Sequence, residues 1–144
     1  MTPSASSILS ASRLVVRKGP YALGSWEPAR LSAVFAGVLR SRCDICMVMR
    51  DDIEVTALVD ESALAELPPP RRIEGRWALL TIDTIMAWDV IGVLAEITRA
   101  LAAAGIPAGA IAAFSRDHLL VQAEHLDLAL ERLAKICKSV DTVD

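Results

Sequence analysis

The chain carries one succession of apolar patterns twice, and this internal repeat constrains its fold more than any other feature. A shift of 62 residues pairs Leu31 with Val93, Phe35 with Ile97, Leu39 with Leu101, Leu58 with Leu120, Val59 with Val121 and Leu64 with Leu126. Positions at helical spacing meet their counterparts, and so do positions in strand-like runs. A segment repeated strand, helix, strand, strand, helix builds an antiparallel sheet with helices on one face, so the spacing predicts an α+β protein of two ferredoxin-like βαββα units.

In the first half, Leu14 to Arg17 and Tyr21 to Trp26 read as short strands separated by the turn Lys18-Gly19-Pro20. Leu31, Val34, Phe35, Val38 and Leu39 recur at helical spacing, predicting a helix with one buried stripe that ends near Ser41-Arg42. Ile45 to Met49 and Glu54 to Val59 read as a hairpin about Arg50-Asp51-Asp52, and Ser62 to Leu67 as a short helix stopped by Pro68-Pro69-Pro70.

The second half opens with Trp77 to Ile82, an almost unbroken apolar run suited to a strand buried on both faces. A helix is expected from about Ile91 to Ala104, with Val93, Leu94, Ile97 and Leu101 inward and Gly105 as its stop. Ala110 to Phe114 and His118 to Gln122 follow as strands about Ser115-Arg116-Asp117, then a last helix from Leu126 to Lys138. The expected division is a flexible terminus over 1–13, a first unit over 14–70 and a second over 71–144. The Leu14 to Arg17 strand is expected to complete the second unit's sheet.

Composition narrows the function. A net charge of −3 with scattered basic residues argues against nucleic-acid or anionic-membrane partners, which need a dense Lys/Arg footprint. Residues 91–113 are interrupted by Glu96, Arg99 and Gly105-Ile106-Pro107, so they read as a helix and a strand, not a bilayer span. No secretory apolar core opens the chain, and the three cysteines make no disulfide framework; a cytoplasmic protein with reduced thiols is expected. A mean hydropathy of +0.42 points to a homodimer that hides part of its surface.

Topology brings the Asp89 to Val93 turn and the Ser115 to His118 hairpin to one end of the sheet. A helix N-terminus there offers free N–H groups and a positive dipole end, Gly92 keeps the approach open, and Asp117 stands nearby with a negative charge. Donors on one side and a carboxylate on the other complement a zwitterionic amino acid. The plainer reading is that Gly92 and Asp117 serve turn chemistry alone, with Asp89 as helix N-cap or first-turn acid. The repeat places Arg30 opposite Gly92, so only one half has the open turn.

Cys43-Asp44-Ile45-Cys46 has metal or redox spacing, but it follows a helix instead of opening one and no second pair exists; a small buried thiol at Cys46 is the default. His118 stands beside the hairpin, either facing the pocket or as a surface residue, and His125 near the start of the last helix. No nucleophile triad, phosphate loop or zinc motif is present, so neither catalysis nor a cofactor is expected.

The ordered set Trp77-Ala78-Leu79-Leu80-Thr81-Ile82, Asp89-Val90-Ile91-Gly92-Val93-Leu94-Ala95-Glu96-Ile97, Leu101-Ala102-Ala103-Ala104-Gly105-Ile106-Pro107 and Ala113-Phe114-Ser115-Arg116-Asp117-His118 resembles the ACT domain family. With the opening Leu14-Val15-Val16-Arg17-Lys18-Gly19-Pro20-Tyr21, it is most similar to small tandem-ACT proteins related to CASTOR-type amino-acid sensors. The resemblance implies a regulatory, non-catalytic protein binding an amino acid or similar small ligand at an ACT–ACT interface, or else an interaction module with a vestigial pocket. It implies a site lined by Ile91, Gly92, Val93, Ala108, Phe114, Ser115 and Asp117. Arg116, His118 and Pro107 depart from the family's usual residues at those positions.

Overall fold

The computed structural model describes residues 2–143. Its elements are α1 (Ala5–Ala11), β1 (Arg13–Trp26), α2 (Leu31–Ser41), β2 (Met47–Arg50), β3 (Val55–Asp60), β4 (Arg72–Asp83), α3 (Val93–Ala103), β5 (Ala108–Ala112), β6 (Asp117–Gln122), α4 (Leu126–Leu133) and β7 (Ser139–Val143). Short 3-10 helices occur at Pro28–Arg30, Glu61–Glu66 and Ala123–His125. Contacts divide the chain into two compact units, one made of the chain up to Lys18 with the chain from Ala78, the other of Gly19–Trp77.

In the first of these units the strands lie in the order β7-β1-β4-β6-β5. β5 and β6 pair antiparallel from Ala108 with Val121 to Ala112 with Asp117, whereas β1 and β7 pair in parallel, Leu14 beside Val140. Period-2 alternation sends Leu14 and Val16, Ala78, Leu80 and Ile82, and Leu119 and Val121 to one face of the sheet. There they meet Val93, Ile97 and Leu101 of α3 and Leu126, Ala129 and Leu133 of α4, whose four- and three-residue spacing makes one stripe per helix. The fold is α+β and ferredoxin-like, antiparallel but for the β1–β7 pair, with its helices on one face. Burying side chains of this size contributes roughly 1.5–3 kcal/mol each. Ala78–Ile82 is buried on both faces, as its unbroken apolar run predicts.

The stretch read as a frayed terminus over 1–13 contains α1. Ser4 caps it, its Oγ accepting the Ser7 N–H at 3.1 Å, and Ala5 and Leu9 enter the core against α3. Ser12 is fully buried yet satisfied: its hydroxyl donates to the Ile8 carbonyl at 2.7 Å and accepts from Thr84 at 2.6 Å. The helix is hidden in composition because small residues surround its single leucine. At the other end, the expected helix to Lys138 stops at Leu133, and the residues beyond Lys138 form β7.

In the Gly19–Trp77 unit β3 lies between β1 and β2, with Ala22 beside Val59 and Val48 beside Ala57. β1 runs unbroken through Lys18-Gly19-Pro20, where a turn is expected from sequence; Gly19 takes its positive φ of 72° inside the strand. The core here is Trp26, Val34, Val38, Val55, Ala57 and Val59. Phe35 and Leu39, expected in the buried stripe of α2, are 51% and 68% exposed. Gly37 explains the rotation, since a Cβ there would lie 2.5 Å from the Glu66 carbonyl oxygen. The helix seats itself on that close approach, presenting Val34, Gly37 and Val38 and turning Phe35 and Leu39 outward.

Candidate ligand site at the Gly92 turn

Helix α3 starts at Val93, and Gly92 caps it at φ 92° and ψ 0°, a left-handed conformation that costs a residue with a Cβ roughly 1–2 kcal/mol. The Gly92 carbonyl accepts the Glu96 N–H at 2.9 Å, and no side chain caps the helix end. The N–H groups of Val93, Leu94 and Ala95 precede the first intrahelical bond, so they stay available at the positive end of the helix dipole. A Cβ on Gly92 would sit an ordinary 3.7 Å from the Ala5 Cβ of α1, so backbone φ, not crowding, requires glycine. Asp89, expected at the cap or in the first turn, lies three residues before the cap and is exposed.

The β5–β6 hairpin closes with the Ala113 N–H donating to the Arg116 carbonyl at 3.1 Å. The loop after β4 is fastened to it, since the Met86 N–H donates to the Ser115 carbonyl at 3.1 Å. Between them lies a cavity of about 320 Å³, with Gly92, Val93, Leu94 and Ala95 on one side and Phe114, Ser115, Arg116 and Asp117 on the other. Trp88 and Phe114 meet edge-on in its wall, ring centres 5.9 Å apart and planes at 67°, and are 74% and 82% exposed. The volume is at the small end of ligand pockets.

Of the residues implied by the resemblance, Gly92, Val93, Phe114, Ser115 and Asp117 line this cavity. Ile91 does not; it precedes the left-handed residue and is 87% exposed. Ala108 does not either, because it begins β5 opposite Val121, at the far end of the strand from the hairpin. Sequence reasoning missed Met86, Trp88 and Val90, which line it from the loop after β4. A tryptophan just ahead of a glycine turn was the available signal.

The two charged side chains of the lining differ in what holds them. Arg116 donates to Asp83 Oδ1 at 2.8 Å, while Arg13 donates to Oδ2 at 2.8 Å and lies 3.7 Å from Asp141. Hydrogen bonds from Arg13 and then Arg116 hold the Asp83 carboxyl below its ordinary pKa. Asp117 lines the cavity and accepts no hydrogen bond among the described residues; its charge acts on the neighbouring His118. His118 lies outside the lining. Its Nδ1 is 2.8 Å from the hydroxyl of buried Thr81, and burial, then the neighbouring Arg116 and Arg17, lower its pKa against an opposing pull from Asp117.

Cys46, expected as a buried thiol, is exposed, with Cys43 half-buried and Cys137 buried, all three free. The left-handed Arg42 (φ 56°) ends α2, after which Cys43 still packs against the core while Cys46 faces water. Among the described residues no group of three or more His, Cys, Asp or Glu side chains is placed to hold a metal, and no helix is long and apolar enough to cross a membrane.

Residues 72–135, which contain the whole cavity, match the family model of the ACT domain. That stretch of the chain is similar to the ACT domain. No curated protein matches the sequence. Among solved structures the chain is similar to protein Atu0741 of Agobacterium tumefaciens, with 20% identity and a TM-score of 0.76 over 93% of this chain and 95% of that one. It is similar also to the ligand-free regulatory subunit of aspartate kinase from Thermus thermophilus, with 15% identity and a TM-score of 0.67 over 89% of this chain and 98% of that one. A third, VC0802 of Vibrio cholerae, described as a possible transport protein, shares 21% identity at a TM-score of 0.65 over 90% of this chain and 93% of that one. At such identities the likeness is one of fold. The fold fixes where strand, helix and hairpin ends meet; the side chains at that meeting are this chain's own.

Proposed function

We propose that this is a non-catalytic regulatory protein of the cytoplasm whose ACT domain binds an amino acid or a similar small zwitterion. The observation that carries the reading is the cavity itself: the first residues of α3, whose N–H groups precede the first intrahelical bond, and Asp117, whose carboxylate accepts no hydrogen bond among the described residues, line the same small space. A ligand carboxylate suits the first and an ammonium the second. In full the reading is a tandem-ACT homodimer akin to CASTOR-type sensors, with the ligand at an ACT–ACT interface.

Thermal-shift measurements on the whole chain with each L-amino acid at millimolar concentration test the proposal. A ligand at 100 times its Kd stabilises by about 2.7 kcal/mol, or roughly 5–10 °C in Tm for a chain of this size. Asp117→Asn should remove the shift while leaving the unliganded Tm within about 1–2 °C, because Asp117 accepts no hydrogen bond among the described residues. Absence of a shift with every amino acid would refute the reading. A second reading, an interaction module with a vestigial pocket, is favoured by one observation: Ile85, Trp88, Ile91 and Phe114 are all more than 70% exposed around the turn and hairpin. Light scattering that shows a dimer without any amino-acid response would select it.

A further inference from the structure

Resting on the amino-acid reading of the cavity, we infer that the site selects a ligand with a large apolar side chain, covered in the bound state by the Trp88–Phe114 pair. Besides Arg116 the cavity offers a ligand the α3 N–H groups, the Asp117 carboxylate and the Ser115 hydroxyl, and the backbone of a zwitterion uses the first two. The remaining charged group, Arg116, is engaged by Asp83 at 2.8 Å. A cationic side chain would find no second acid in the lining, and an anionic one would have to take Arg116 from Asp83, leaving that carboxylate with Arg13 alone. A hydroxyl or amide side chain would meet Met86, Val90, Val93 and Leu94 with Ser115 as its one uncharged side-chain partner, and an amide needs more than one.

The aromatic pair argues in the same direction. Two large rings in mutual contact, each at least 74% exposed, leave apolar surface facing water in the free protein. An aliphatic or aromatic ligand side chain beneath them removes that surface from water together with its own, whereas a polar one removes only the rings' share. Volume sets the upper bound, since about 320 Å³ holds one amino acid and not a dipeptide with two large side chains.

Tryptophan fluorescence of the intact chain reads this out, because Trp88 lies in the cavity wall while Trp26 is buried elsewhere at 1% exposure. Titration with L-leucine, L-isoleucine and L-phenylalanine is expected to shift the emission to the blue. L-serine, L-aspartate and L-lysine should bind at least tenfold more weakly, as the loss of one or two methylenes from a hydrophobic pocket implies. Trp88→Leu should abolish the spectral change while isothermal calorimetry still records leucine binding, and Phe114→Ala should weaken leucine more than serine. Equal or tighter binding of the polar amino acids would overturn this inference and leave the amino-acid reading intact. Absence of binding by all six in calorimetry would overturn both.

Discussion

Leu9→Ala is the substitution that tests whether α1 belongs to the core or only lies on it. Leu9 has no exposed surface, on a seven-residue helix that packs against α3. The truncation removes three carbons, about 2.4 kcal/mol at 0.8 kcal/mol per buried methylene, and adds a cavity term of roughly 24 cal/mol per Å³ left unfilled. A short helix can settle partly into the gap, but Ser12 limits that movement, because its hydroxyl and backbone tie the end of α1 to Thr84 and Lys138. The expected loss is therefore about 3 kcal/mol, near the lower end of the Leu→Ala range. For a chain of this size that corresponds to a fall of roughly 6–12 °C in Tm. Urea unfolding followed by far-UV circular dichroism measures it, with Ser10→Ala on the exposed side of the helix as a control expected to change little. A loss below about 0.5 kcal/mol would refute the argument and return residues 5–11 to the frayed terminus that composition suggests. Ala5 packs 3.7 Å from where a Gly92 Cβ would stand, so Leu9→Ala should also weaken ligand binding without touching the cavity.

Three further outcomes follow from side chains already described. Gly37→Val should destabilise by about 2–3 kcal/mol through overpacking against the Glu66 backbone, whereas Phe35→Ala should cost under about 1 kcal/mol; the reverse order in urea melts would show that α2 is seated differently. For His118 the folded pKa lies below its unfolded value near 6.5, so the unfolded chain takes up the proton first as pH falls: its contribution is intact above about 6.5 and is lost below. The Tm of His118→Gln should decline less than that of the parent between pH 7 and 5, and parallel curves would rule the assignment out. With a thiol reagent at pH 8, Cys46 should label in the native protein and Cys137 only on unfolding, since burial raises its pKa and hides it; peptide mapping after labelling decides this.

What the sequence made legible depended on how many residues shared each signal. Ala78–Ile82 and the Val93-Ile97-Leu101 stripe are each carried by several side chains, and each is buried as expected. Contributions resting on one or two residues were misread. Ile8 and Leu9 alone mark α1 as apolar, and Gly37 alone rotates α2, so Phe35 and Leu39 follow the helical period and still face water. β7 escaped because Ser139, Asp141 and Thr142 hide a strand whose pairing partner, β1, lies at the other end of the chain. At the site, the meeting of the Gly92 turn and the Asp117 hairpin followed from connectivity. The role of Trp88, and the Asp83 contact that engages Arg116, needed coordinates, because both depend on a loop whose path no periodicity records.

The same comparison shows why the site occurs at one helix start and not at the other. In the Gly19–Trp77 unit the chain enters α2 through the 3-10 turn Pro28–Arg30, with Arg30 at the cap where α3 has Gly92. A proline-led turn supplies backbone where the loop before α3 leaves space, and Arg30 brings a bulky cation to the one place where a ligand carboxylate needs bare N–H groups. The hairpin acids differ as well. Asp51 accepts the N–H groups of Ile53 and Glu54, both at 2.8 Å, and those bonds lower its pKa; its charge is used by its own turn. Asp117 makes no such bond among the described residues, and the hairpin is closed by backbone alone through Ala113 and Arg116. An acid that accepts no hydrogen bond and a helix start that no side chain caps, both among the described residues, line one cavity. Under the proposed function a single small zwitterion answers both.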